Sequence, residues 1–119
     1  MITQEQLENF FAETRGTYRS GRSNWSIDDV CRWSYFFVDS DREKLLPIAK
    51  HLETSGYEFV GTLDPDESDE TPVYFLRMDR IERHSPQTLH ELNHGLYDVA
   101  ARFGVSSYDG MDVGSVDGP

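Results

Sequence analysis

The chain has 119 residues, enough for a single hydrophobic core but short for a core plus a deep catalytic cleft. Hydrophobic residues make up 37% and aromatics 13%, which excludes a disordered chain, and the single cysteine, Cys31, excludes a disulfide framework or a thiolate metal site of its own. With 22 acidic against 11 basic residues the formal charge is −11, which repels phosphate backbones, argues against direct nucleic-acid binding and favours basic segments of other proteins as partners.

Residues 3–19 predict an amphipathic helix: Thr3 and Gln6 have capping-box spacing, and Leu7, Phe10, Phe11, Thr14 and Tyr18 share one face. The pattern does not say where this helix docks. Residues 20–29, SGRSNWSIDD, read as a polar loop. Residues 31–38, CRWSYFFV, read as a strand with Trp33, Tyr35 and Phe37 on one face and Ser34, Phe36 and Val38 on the other. Apolar residues on both faces predict a central, well-covered strand.

Ser40 and Glu43 form a second capping-box pattern, followed by Leu45, Ile48, Ala49 and Leu52 at helical spacing and by Gly56 as the C-cap. Pro47 falls inside this window and is expected to kink the helix or delay its start, because it removes a backbone donor. Residues 57–63 are the next strand. The acidic stretch 64–72, DPDESDETP, lacks the glycine and the bidentate glutamate of a calcium loop, since Asp69 and Phe75 stand at those positions. It reads as a solvated hairpin loop whose Asp64, Asp66, Glu67, Asp69 and Glu70 are candidate contacts for a basic partner. Residues 73–81 are the third strand. Ser85 as N-cap and Pro86 as first helical residue open a helix that runs to Phe103 and stops at Gly104. Residues 108–114, YDGMDVG, form a short fourth strand with a turn-like centre.

The order after the first helix is β-α-β-β-α-β, which predicts an α+β, ferredoxin-like fold: four antiparallel strands with two helices on one face. One domain is expected over 1–119, with the helix and loop in 1–24 and the ferredoxin-like core in 30–116. No positively charged start precedes an apolar stretch and no apolar run approaches about 20 residues, so neither a signal peptide nor a membrane span is expected, and the location expected is cytoplasmic.

The stretch HELNH, residues 90–94, has the H-E-x-x-H spacing by which metallopeptidases hold zinc, with Glu91 in the general-base position. A catalytic zinc takes three protein ligands and keeps one open position. Tyr97 and Ala100 occupy the positions where an extended motif needs glycine and a third ligand, and Glu91 is the last glutamate of the chain. The helix's apolar stripe is Leu89, Leu92, Leu96, Val99, Ala100 and Phe103, which leaves His90 and His94 on the wetter side. No Gly-rich phosphate loop is present, and Cys31 reads as a small buried hydrophobe. No catalytic residue, metal or cofactor is therefore assigned.

Three stretches carry a family resemblance. EQLENFFAETR (5–15), DSDREKLLPIAKHLETSGYEFVGTLDPDE (39–67) and LYDVAARFGVSSYDGMDVGSV (96–116) occur in the order and spacing of the RraB-type regulators of ribonuclease E, which they resemble. The most specific match is Tyr108-Asp109-Gly110, where Met111 follows in place of the family's tryptophan. The resemblance implies a ferredoxin-like, non-enzymatic protein that inhibits ribonuclease E through protein contacts. Tyr108, Asp109 and Gly110 are further candidate contacts, although Asp-Gly equally suits a motif kept to build a turn, and Trp25 is expected as an exposed aromatic anchor. An acidic immunity- or antitoxin-like binder of another basic client is the alternative class, and a zinc peptidase built on HELNH is the third.

Overall fold

The structure, a computed structural model, describes residues 1–68 and 70–117. The elements are α1 (Gln4–Arg19), β1 (Cys31–Asp39), α2 (Arg42–Glu53), β2 (Glu58–Leu63), β3 (Tyr74–Glu82), α3 (Pro86–Phe103) and β4 (Ser107–Gly114). The strands form an antiparallel sheet in the order β2-β3-β1-β4. After α1, this is the βαββαβ order and sheet of a ferredoxin-like α+β fold.

The helix boundaries follow from local chemistry. Thr3 Oγ1 accepts from the Gln6 N–H at 3.1 Å while Gln6 Oε1 accepts from the Thr3 N–H at 2.8 Å, closing the expected capping box of α1. Ser85 caps α3 by accepting from the Thr88 N–H, Pro86 takes the first turn, and Gly104 ends the helix in the left-handed region at φ 70°. The N-cap of α2 is Asp41, one residue beyond the expected Ser40: its Oδ1 accepts from the Glu43 N–H at 3.0 Å. The shift is set by Asp39, whose Oδ2 accepts from the Asp41 N–H at 2.7 Å and folds residues 39–41 into a turn. Pro47 lies inside α2 and does not delay its start.

All three helices pack on one face of the sheet. That face presents Trp33, Tyr35 and Phe37 from β1, Leu76 and Met78 from β3, and Tyr108 from β4, all buried. Against them lie Leu7 and Phe11 of α1, Leu45, Ile48 and Leu52 of α2, and Leu89, Leu96 and Ala100 of α3. β1 is central in the sheet, as its apolar pattern predicts, but the helices cover its Trp33–Tyr35–Phe37 face and not the other. Phe36 and Val38 point to the opposite face, away from α1, α2 and α3, and are only half-buried.

The docking of α1, which the sequence pattern left open, is against α3 and the β1–β4 side of the sheet. Phe11 stacks on Trp33 at 5.9 Å between ring centroids, and Phe10 meets the same indole edge-on at 6.4 Å. The Ile2 N–H donates to the Tyr97 hydroxyl at 3.0 Å, and Arg15 makes a bidentate pair with Asp28. Tyr18, expected on the packed face, is 47% exposed because α1 runs past the core at its C-terminal end.

The turn-like centre of β4 is a β-bulge. Phe36 pairs with Gly110 and Phe37 with Tyr108, which leaves Asp109 as the extra residue, and Gly110 takes φ 115°. A second register shift lies in β2, where Phe59 pairs with Met78 and Gly61 with Arg77.

Candidate functional site

The two motifs singled out in the sequence meet in the core. Asn93, the fourth residue of HELNH, is 1% exposed, and its Oδ1 accepts from the Tyr108 hydroxyl at 2.7 Å. The Asn93 amide reaches Met111 Sδ at 3.7 Å. The Tyr108 ring packs on Phe37 and Tyr97 at 5.2 and 5.1 Å. Burial pushes its hydroxyl far above the ordinary tyrosine range, so it remains a donor. Gly110 is also buried. Of the three candidate contacts in this motif, Asp109 alone is exposed, projected outward by the bulge.

His90 is half-buried and His94 exposed, with their rings 4.6 Å apart. Glu91 and Asp98 are exposed on the same helix. Among the described residues no three His, Cys, Asp or Glu side chains converge as a metal site. Two imidazoles on one straight helix are one ligand short of a catalytic zinc.

The acidic loop between β2 and β3 places Asp64, Asp66, Glu67 and Glu70 at the surface; Asp69 lies outside the described residues. The Ser68 N–H donates to Asp66 Oδ1 at 3.1 Å and holds that carboxyl below its usual range. No salt bridge among the described residues takes up Asp64, Glu67 or Glu70. Asp64, Asp66, Glu67 and Glu70 thus present exposed negative charge between β2 and β3.

Trp25 is not a freely projecting anchor. It is half-buried and lines a hollow with Phe10, Thr14 and Val113 between α1 and β4. Cys31 is buried as expected, and its thiol donates to the backbone oxygens of Ser26 and Asp29 at 3.1 and 3.3 Å. Burial pushes the thiol up, away from thiolate chemistry.

Two polar clusters escaped the sequence reading. On the helical face, Glu82 accepts from the Tyr35 hydroxyl and from Arg80, and His84 Nε2 lies 2.7 Å from the same carboxylate. His84 Nδ1 meets Thr88 Oγ1 at 3.0 Å, and Arg80 lies over the Tyr57 ring at 4.0 Å. Burial alone pushes the Glu82 carboxyl up, but His84, Tyr35 and Arg80 together hold it below its ordinary range. This cluster pins β3 to the start of α3. On the opposite face, Asp79 is 1% exposed and is held by Arg77 at 3.0 Å and by Arg32 at 3.2 Å, while Arg32 also pairs with Glu58 at 3.1 Å. The alternation Arg77-x-Asp79 on a strand was the available signal, since such residues share a face. The partners from β1 and β2 needed the register.

No helix among the described residues is long and apolar enough to cross a membrane. The family model described as regulator of ribonuclease activity B, RraB, matches residues 12–113, from within α1 to β4. Nothing among the curated proteins matches the chain.

Proposed function

The chain belongs to the RraB family of regulators of ribonuclease activity, and from that premise we propose that it is a non-enzymatic inhibitor that binds ribonuclease E. The family match over residues 12–113 carries this reading. The charge of −11 and the exposed carboxylates Asp64, Asp66, Glu67 and Glu70 support a partner with Arg- or Lys-rich segments. Asp109, raised on its bulge, is a second acidic contact. Tyr108 and Gly110 act behind it: they hold the bulge in place rather than touch the partner.

Inhibition is stoichiometric. The regulator occupies a basic segment of the nuclease and thereby lowers RNA turnover, with no chemical step of its own. Purified protein added to ribonuclease E is expected to slow cleavage of a standard RNA, saturating near one regulator per binding segment. Unchanged cleavage at a large molar excess, together with no binding by calorimetry, overturns the proposal.

A further inference from the structure

The face of the sheet opposite the helices has an ordered layout. Cross-strand pairing sets Leu63, Phe75 and Val38 in one row and Gly61, Arg77 and Phe36 in the next. Leu63 is 57% exposed and the bulged Val60 beside it 47%. Phe36, Val38 and Phe75 are half-buried on the face away from α1, α2 and α3. On a solvated sheet face these positions are normally polar. Between the rows lies a cavity of about 330 Å³ lined by Phe36, Val60, Gly61, Thr62, Leu63 and Arg77. The Arg77 guanidinium in its wall is bonded to Asp79.

The bordering strand is a sheet edge. Among the described residues β2 pairs only with β3, so its outer row of backbone N–H and C=O groups faces away from the sheet. The stretch of chain that forms this edge carries charge of one sign, while Arg42 of α2 reaches it through Thr62 and Arg32 of β1 through Glu58, both at 3.1 Å. Residues 52–76, from the end of α2 to the middle of β3, hold seven carboxylates and no Lys, Arg or His. The acidic loop begins directly after Leu63.

We infer that the open sheet face at the β2 edge docks an extended, Arg- or Lys-bearing segment of a partner protein, which lies alongside β2, places an apolar side chain in the Phe36–Val60–Leu63 cavity and sets its cations against Asp64, Asp66, Glu67 and Glu70. The edge supplies backbone pairing, the cavity supplies an anchor and the loop selects the sign of charge. A second copy of this chain is disfavoured at that edge, because it would bring two acidic loops together. A nucleic-acid strand is repelled by the same carboxylates. The inference rests on the protein-binding reading above and assigns it a surface.

Two probes test it. In the first, ribonuclease E is titrated with the wild-type protein, with Val60→Lys/Leu63→Lys and with His94→Ala as a control on the opposite side of the molecule. The double variant is expected to bind at least 10-fold more weakly and the control to match the wild type, with circular dichroism unchanged for both. In the second, amide shifts of the labelled wild-type protein are followed with a twelve-residue peptide alternating Arg and Val and with its Glu–Val counterpart. Shifts at residues 36, 38, 60–63 and 75 with the Arg peptide alone are expected. Equal ribonuclease binding by the double variant overturns this surface while leaving the ribonuclease reading intact. Absence of ribonuclease binding together with the expected peptide shifts overturns the ribonuclease reading and leaves the surface. No shift at these residues with the Arg peptide, equal shifts with the Glu peptide, or self-association lost in the double variant each overturns the surface.

Discussion

The Tyr108 hydroxyl donates to Asn93 Oδ1 at 2.7 Å, and the two residues are 2% and 1% exposed. This bond ties the bulged β4 to the middle of α3, and it crosses between the two stretches that stand out most in the sequence. Tyr108→Phe removes the donor and leaves the asparagine oxygen buried without it, at a cost of about 1–3 kcal/mol in urea denaturation. Tyr108→Phe/Asn93→Leu removes both polar partners and is expected to cost less than the sum of the two single changes, because neither group is left unpaired. Strict additivity would show that the bond contributes nothing specific.

Three buried or half-buried carboxylates give the fold an acid limit. Burial pushes Asp39, Asp79 and Glu82 up, but their donors hold each below its ordinary range: the backbone of Asp41 and both Ser106 groups for Asp39, Arg77, Ser34 and Arg32 for Asp79, and His84, Tyr35 and Arg80 for Glu82. A carboxyl with a lowered folded-state pKa contributes stability that is complete above its unfolded value of roughly 4 and is lost as pH falls through the folded value. The Tm is therefore expected to be flat with respect to these three groups above about pH 5 and to fall steeply below about pH 4. Asp39→Asn lowers the Tm at pH 7 and flattens part of the acid slope. An unchanged slope in that variant would remove Asp39 from this account.

The docking of α1 is testable through Phe11, which is fully buried against Trp33. Phe11→Ala is expected to cost about 3–5 kcal/mol by denaturant unfolding, from lost burial and the cavity left beside the indole. Arg15→Ala breaks the pair with Asp28, whose side chains are 34% and 48% exposed. Its cost is expected to be under about 1 kcal/mol, since solvent screens an exposed pair. The contrast between the two values separates packing from charge as the force holding α1.

Charge in the 64–70 loop is expected to matter for binding and not for folding. Changing Asp64, Asp66, Glu67 and Glu70 to their amides alters exposed side chains only. Stability should move by less than about 1 kcal/mol, while association with the proposed partner, ribonuclease E, is expected to slow and to lose most of its salt dependence. Stopped-flow association at two ionic strengths measures this, and identical salt slopes for wild type and variant would exclude the loop.

His90→Ala/His94→Ala is expected to leave the proposed ribonuclease inhibition unchanged and to move the unfolding midpoint little, because His94 is exposed, His90 is half-buried and their rings meet each other. Near-stoichiometric zinc in untagged wild-type protein, lost in this variant, would restore the metal reading of HELNH.

Much of the fold was legible because its signals are local. Thr3 with Gln6, Ser85 with Pro86, and Gly104 mark helix ends through bonds spanning at most four residues. The alternation of Trp33, Tyr35 and Phe37 fixes the inward face of β1 through a period of two. The start of α2 was displaced because a contact 67 residues away in sequence takes part: Asp39 Oδ1 accepts from Ser106, and no local pattern carries that. The HELNH spacing drew attention to its histidines, while the residue of that stretch the fold uses is Asn93.

The sequence alone determined the element order, the ferredoxin-like class and the family, because helical and strand periods, caps and turns are short-range and the family's motifs keep their order along the chain. Only the tertiary structure decided which polar residues turn inward, where α1 lies, that Tyr108 is core while Asp109 is surface, and that one face of the sheet is left open. Those facts depend on register and on the one-residue bulge in β4. A shift of one residue turns every later side chain to the other face, and composition carries no record of it.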